Sequence, residues 1–239
     1  MSNSEGVEYR QLHETVLDRL GSDIVAGVVS TGTRISADDV VNQFSVSRTV
    51  VREVVRVLES LGLLAVRRRV GITVLGEEHW NSLDPNVIRW KLAGPQRFDQ
   101  LAKLSELRYG IEPLAARLAA QRATPEQCGA LTAAVIGLAS TARAADSAAY
   151  LAHDSDFHRT LLTASGNPLL GAMAQIVVEV LEGRTRHSLM PYVAEEQVVH
   201  LHGVVASSVQ AGDAEAAENA MRAIVSESAM AVSQMKDKI

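Results

Sequence analysis

The sequence predicts a mostly α protein in two parts, a small N-terminal head of three helices and a β-hairpin followed by an all-α helical bundle. Three observations point there. Residues 45–74 run from a serine-rich turn through an amphipathic stretch into two β-branched segments joined by Arg67-Arg68-Arg69. After residue 76, apolar residues recur at helical spacing and no alternating, strand-like segment is found. Hydrophobic residues make up 47% of the 239 but aromatics only 4%, which suits an Ala/Val/Leu-rich helical core. The expected boundaries are 1–76 for the head, 77–95 for a linker and 96–239 for the body, with no internal repeat.

The first helix is expected over residues 8–28, where Leu12, Val16, Leu20 and Ile24 repeat every four residues. Thr31-Gly32-Thr33 ends it. Ser36 with Asp39 three residues on resembles a capping box opening a short helix over 37–44. Ser45-Val46-Ser47 is then a turn, Ser47 caps a third helix over 48–60, and Gly62 stops it. Residues 63–67 and 71–75 read as a hairpin. The linker carries Trp80 and Leu83-Asp84-Pro85, and about six helices follow it. Thr124-Pro125-Glu126-Gln127 combines a cap, a first-turn proline and a reciprocating glutamine; Asn167-Pro168 and Gly212-Asp213 mark two further starts.

Charge is informative only when divided. The whole chain carries −5, yet residues 34–76 hold seven arginines against four acidic residues, a local excess of three positive charges. Phosphate binding follows the local balance, so an acidic body with a basic head is compatible with DNA. The polar, acidic N-terminus does not read as a signal peptide, and no apolar run approaches a membrane span. The single Cys128 excludes an intrachain disulfide and suits a reducing cytoplasm, the expected location.

On the third helix Val51, Val54, Val55 and Leu58 share one arc while Arg48, Thr49, Arg52 and Arg56 share another. An arginine at the start of a helix lying in a major groove can pair bidentately with guanine O6 and N7, worth about 1–3 kcal/mol of base discrimination. Ser47, Thr49 and the helix-start N–H groups suit phosphate oxygens. Arg67, Arg68 and Arg69 at the hairpin could enter a minor groove or straddle phosphates. The alternative is a solvated helix face, and for Arg56 the two readings stand level.

In the body, Asp154 and His158 lie four residues apart in the middle of an apolar arc formed by Leu151, Phe157, Leu161 and Leu162. His202 sits likewise among Val198, Val199, Val205, Ala206 and Val209. Burial of unpaired polar groups is costly, so these residues need a reason. One carboxylate and two imidazoles converging in a helical core would suit a divalent transition metal such as zinc. The alternative is an Asp–His hydrogen bond with His202 satisfied separately. Arg108 and Glu112 form another spaced pair in an apolar arc, either a structural ion pair or a cation for bidentate carboxylate binding. Arg184, Arg186 and His187 are further basic candidates that could equally be solvated.

Gly32-Thr33-Arg34, Val46-Ser47-Arg48-Thr49-Val50-Val51-Arg52-Glu53, Leu58-Glu59-Ser60-Leu61-Gly62-Leu63-Leu64 and Gly71-Ile72-Thr73-Val74 together resemble the GntR family of bacterial transcription regulators. The resemblance implies a winged helix-turn-helix. Arg48 and Arg52 would contact operator bases or flanking phosphates and Thr49 a phosphate, with the wing around Gly71 probing the minor groove. Arg34, Ser47, Arg68 and Arg69 complete the expected DNA-contacting set. One departure stands out: Asp38 occupies a position where many members carry a DNA-contacting arginine, which implies that this contact is lost. Asp154-Ser-Asp-Phe157-His158, Ala164-Ser-Gly-Asn167-Pro-Leu and His202 followed by Ala211-Gly212-Asp213 resemble the FCD domain of the FadR-like branch. Many such domains hold a metal through an Asp, a His four residues on and two later histidines. That pattern makes Asp154, His158 and His202 ligands, while the fourth position falls at Ile224, which cannot ligate. A three-ligand site completed by water or an effector carboxylate, and a metal-free site, both remain open. FCD domains commonly carry an arginine at Arg108, which implies effector binding there.

The function implied is an effector-responsive transcription regulator: a homodimer binding double-stranded operator DNA, controlled by a small carboxylate beside a divalent metal. The segment Leu83-Asp84-Pro85-x-Val87-Ile88-x-Trp90 is similar to one in FCD regulators of sugar-acid catabolism. It implies an aldonate-like hydroxy acid, with lactate or another small carboxylate as the alternative. Two rival readings are a metal-dependent hydrolase with a DNA-binding appendage and a ligand-independent architectural DNA-binding dimer. Against the hydrolase, no general base or nucleophile motif accompanies the Asp/His/His set, so no catalytic residue is expected.

Overall fold

The computed structural model describes residues 2–68, 71–144, 147–186 and 196–236. Arg69 and His187 therefore lie outside the described residues. The chain divides into two compact units, Met1–Arg97 and Phe98–Ile239.

The first unit runs α1 (Ser2–Val25), β1 (Arg34–Ile35), α2 (Ala37–Phe44), α3 (Arg48–Ser60), β2 (Leu64–Arg67) and β3 (Gly71–Val74). A 3-10 turn, Glu77–His79, then leads to α4 (Pro85–Ala93). Ser36 and Ser47 cap α2 and α3, accepting from the N–H groups of Asp38 and Val50 at 3.2 and 3.3 Å. The sheet is antiparallel with order β1-β3-β2, and Leu64 pairs with Val74, Arg67 with Gly71. β1 was not expected. Two residues carry no periodic signal, and the strand exists only through β3, Arg34 opposite Thr73 and Ile35 opposite Ile72.

Two further expectations need correction. α1 begins and ends earlier than 8–28, and Leu12 is 41% exposed, because the buried α1 residues begin at Val16. Residues 77–95 are not a linker. Val87 and Trp90 of α4 are buried in the same core as Val16 and Ile24 of α1, Val54 and Leu58 of α3, and Val74 of β3. The Trp90 indole N–H donates to Asp18 Oδ1 at 3.0 Å, and Arg89 reaches the same carboxylate at 2.8 Å. Gly21 makes this packing possible, since a Cβ there would lie 2.4 Å from the indole ring. Leu58 is wholly enclosed. Leu58→Ala is expected to destabilise the head by about 2–5 kcal/mol through lost transfer energy and a residual cavity. Urea denaturation followed by circular dichroism checks this.

The second unit contains α5 (Arg97–Arg122), α6 (Pro125–Ala144), α7 (Ser147–Ala164), α8 (Pro168–Ala172), α9 (Ala174–Arg186), α10 (Glu196–Ala211) and α11 (Ala214–Lys236). The three marked starts form as expected. Thr124 and Gln127 satisfy each other's backbone N–H groups at 3.0 and 3.3 Å. Asn167 and Asp213 cap α8 and α11 through Leu169 and Ala216, each at 3.0 Å. Ala116, Ala119, Leu131, Phe157, Leu161, Val205, Val209 and Met221 form the core. α7 packs on α6 and α9, and α10 on α6 and α11, so the polar residues of α7 and α10 are set inside the bundle. Among the described residues no strand follows β3, and no helix is long and apolar enough to cross a membrane.

Candidate functional site

In the head, Val50, Val51, Val54, Val55 and Leu58 are buried, which turns the opposite edge of α3 to solvent. Ser47, Arg48, Thr49, Arg52 and Arg56 are exposed there, as are Arg34 on β1, Arg67 and Arg68 at the hairpin and Gly71. Gly71 takes φ +94°, a conformation that favours glycine at the turn into β3. Arg56 and Arg52 lie 3.0 and 3.5 Å from Glu53, on their own helix. Arg48 instead reaches across to α2, with Nη2 2.9 Å from Asp38 Oδ1.

In the body, α7 presents Asp154 and His158 on successive turns and α10 presents His202. One ligand-capable atom from each lies within 4.8 Å of the others. All three side chains are buried. Asp154 Oδ1 is the meeting point, 3.5 Å from His158 Nε2 and 3.2 Å from His202 Nε2. The opposite nitrogens are held from behind. His202 Nδ1 lies 2.7 Å from the Val198 carbonyl, and His158 Nδ1 meets the Glu112 carboxylate. A carbonyl and an ionised carboxylate can only accept, so both Nδ1 atoms carry hydrogens. His202 Nε2, on the other side of the ring, is buried, has no hydrogen-bond partner and lies 3.2 Å from Asp154 Oδ1. A buried ring nitrogen without a hydrogen bond, facing a carboxylate oxygen, is unfavourable unless a proton or a metal cation lies between them. The residues therefore fit a metal: two Nε2 atoms and one carboxylate oxygen aimed inward, each imidazole oriented through Nδ1.

Glu112, on α5, links this cluster to a second one. It is fully buried and accepts from Arg108 Nε at 2.5 Å as well as from His158. Burial raises the Glu112 pKa, but the charges of Arg108 and His158 more than reverse this and bring it down to about 2. Burial lowers that of His158, yet the Glu112 charge and the bonds to Asp154 and Glu112 push it up to about 9. Asp154, raised by burial, is held well below the usual carboxylate range by the two imidazoles. Arg108 and Arg184, the latter on α9, both contact the Ser228 hydroxyl of α11. Arg184 Nε is buried without a partner. Burial and the neighbouring Arg108 charge bring the Arg184 guanidinium down to about 10. Tyr150, on α7, is raised by burial and by the Asp154 charge.

The structure thus brings together Asp154, His158, His202 and Arg108, and adds Glu112, Arg184, Ser228 and Tyr150. Arg184 is 5% exposed, so the solvated reading of it is incorrect: α9 is buried along most of its length. Glu112 was visible as half of an i, i+4 pair, but its reach to His158, 46 residues away, has no local signal. Ile224, at the position of the missing fourth ligand, is 4% exposed within the apolar core.

The bacterial regulatory protein gntR family model matches residues 12–74, and the FCD domain model matches residues 103–227. The chain belongs to the GntR family, with a C-terminal FCD domain. Among its relatives, the galactonate operon transcriptional repressor of Escherichia coli is 27% identical over 90% of this chain and 94% of its own. An uncharacterized HTH-type transcriptional regulator of Mycobacterium tuberculosis is 30% identical over 92% of this chain and 89% of its own. The structure of Escherichia coli McbR/YncC is 20% identical, covers 94% of this chain and 98% of its own, and superposes with a TM-score of 0.55. The family consists of transcription regulators rather than enzymes, so the hydrolase reading is set aside and the chain is a transcription regulator of this type.

Proposed function

We propose that this regulator is a cytoplasmic homodimer whose operator affinity is set by a small carboxylate bound in the bundle beside a divalent metal, zinc by preference of the donor set. The carrying observation is the orphaned Nε2 of His202 aimed at Asp154 Oδ1, next to two buried guanidinium groups that share one hydroxyl. Asp154, His158 and His202 would hold the metal, which when bound supplies a Lewis-acidic positive centre for an acid group. Arg108 offers a bidentate edge for the same ligand, and Arg184 has a donor to spare. Glu112 keeps His158 oriented and offsets the Arg108 charge. The resemblance of residues 83–90 and the galactonate repressor relative favour an aldonate-like hydroxy acid as effector. Lactate or another small carboxylate is the second choice. To move operator from mostly bound to mostly free, the ligand must prefer one state by about 5 kcal/mol.

On the DNA side, Arg34, Ser47, Arg48, Thr49, Arg52, Arg68, Arg69 and Gly71 form the proposed reading surface, with α3 in the major groove. Two heads would then read half-sites spaced by about 10 base pairs or a multiple of that. Arg48→Ala is expected to weaken binding to a selected operator by about tenfold or more while leaving thermal melting unchanged. Electrophoretic mobility shifts against specific and scrambled duplexes measure it, and wild-type affinity in the variant would overturn the placement of α3. The effector reading is tested by thermal-shift screening of galactonate, gluconate and lactate with zinc and with a chelator, followed by operator titration. A shift that vanishes with chelator and is matched by a change in operator affinity supports the proposal. A ligand-independent operator affinity across the screen would favour the architectural dimer.

A further inference from the structure

We infer that Asp38 is a positioning residue for base specificity, which acts by holding the Arg48 guanidinium in register and by opposing indiscriminate phosphate binding. The inference rests on the reading of α3 as the helix that contacts bases. Its starting point is a difference among the three exposed arginines of α3. Arg52 and Arg56 lean on Glu53, a neighbour on their own helix, at 3.5 and 3.0 Å. Arg48 is paired with a different element, its Nη2 lying 2.9 Å from Asp38 Oδ1 near the start of α2. α2 is itself anchored by the Ser36 cap and by buried Val40. The carboxylate therefore draws the Arg48 guanidinium toward α2, with the modest strength of a solvent-exposed ion pair.

A guanidinium has more N–H donors than one monodentate carboxylate contact consumes, so two adjacent donors remain for guanine O6 and N7. A side chain held in one orientation before binding loses less rotamer freedom on meeting its base, and it tolerates fewer alternative partners. The carboxylate can only accept, so its charge also lowers affinity for the phosphates of every duplex alike. The DNA contact expected to be lost at Asp38 thus becomes an exchange: general affinity is given up, and discrimination is gained through the placement of Arg48.

The experiment uses the full-length protein and a duplex selected by it from a random pool. Affinities of wild type, Asp38→Ala, Asp38→Asn, Arg48→Ala and the double variant are measured on that duplex, its single-base variants and a scrambled duplex at one salt concentration. Both side chains are solvent-exposed (80% for Arg48 and 63% for Asp38), and melting curves confirm that each variant folds. Asp38→Ala is expected to bind the scrambled duplex about threefold more tightly, because a repulsive charge is removed. Its discrimination should fall by about threefold at the base pair that Arg48→Ala identifies, and nowhere else. Asp38→Asn, which can still accept from Arg48, should recover part of that discrimination while keeping the tighter general binding. In the Arg48→Ala background, Asp38→Ala should change discrimination no further. A uniform gain on every duplex with discrimination intact would overturn the proposal and leave Asp38 as a mere repulsive charge. If wild type selects no sequence, or Arg48→Ala keeps full discrimination, the placement of α3 fails first and the Asp38 role falls with it.

Discussion

Asp154→Ala is expected to abolish metal retention by the isolated protein. Zinc-loaded, desalted wild type should carry about one equivalent per chain and the variant less than a tenth of that, read by elemental mass spectrometry. The reason is geometric. Both Nε2 atoms approach Asp154 Oδ1, at 3.2 and 3.5 Å. Without it two imidazoles remain, and Ile224 supplies nothing in its place. Saturating zinc at about a hundred times its dissociation constant should stabilise the wild type by about 2.7 kcal/mol, a rise of a few degrees in melting temperature. That rise should vanish in Asp154→Ala. Metal-free, the variant loses the buried carboxylate but keeps the His158–Glu112 contact, so the body should still fold. A wild type that takes up no zinc, nickel, cobalt or manganese under any loading condition would remove the metal from the proposal. It would leave the cluster as a structural network of an imidazolium and two carboxylates.

How far the site could be read from the chain alone follows from which signals are local. Asp154 and His158 share a helix face, and the apolar residues around them announced their burial without any knowledge of the fold. His202 stood out in the same way on its own helix. What one-helix reasoning cannot supply is distance between helices. The approach of α10 to α7 and the span from Glu112 to His158 depend on how α5, α6 and α7 pack. The same division explains the head. The cap at Ser47 and the valine arc of α3 are local, and both were legible. β1 is two residues long and defined by its partner. α4 was mistaken for a linker because Trp90 is buried through Asp18 and Gly21, which lie about seventy residues earlier. Arg184 was ambiguous because its helix is buried nearly all round, so no polar face marks where solvent lies.

Glu112→Ala should destabilise the body by about 3–5 kcal/mol, because it leaves the Arg108 guanidinium buried without its counter-charge. Urea denaturation of metal-free protein measures this, and a midpoint within error of wild type would mean that the Arg108–Glu112–His158 chain is not formed. The pH dependence of wild type gives a second view of the same chain. His158 is raised from 6.5 to about 9, so its contribution is fully present below pH 6.5 and is lost as pH climbs through about 9. Glu112 is lowered from 4.5 to about 2, so its contribution is fully present above pH 4.5 and is lost as pH falls through about 2. Chelator-treated protein should therefore lose stability steadily between pH 6.5 and 9. Metal uptake must carry the opposite sign, since His158 Nε2 has to shed its proton before it can ligate. Zinc affinity should rise over the same interval, with protons released to the buffer. Stability falling without metal while affinity for metal rises is a pairing that an isolated Asp–His hydrogen bond does not produce. A pH-independent zinc affinity between 6.5 and 9 would show that His158 is not a ligand.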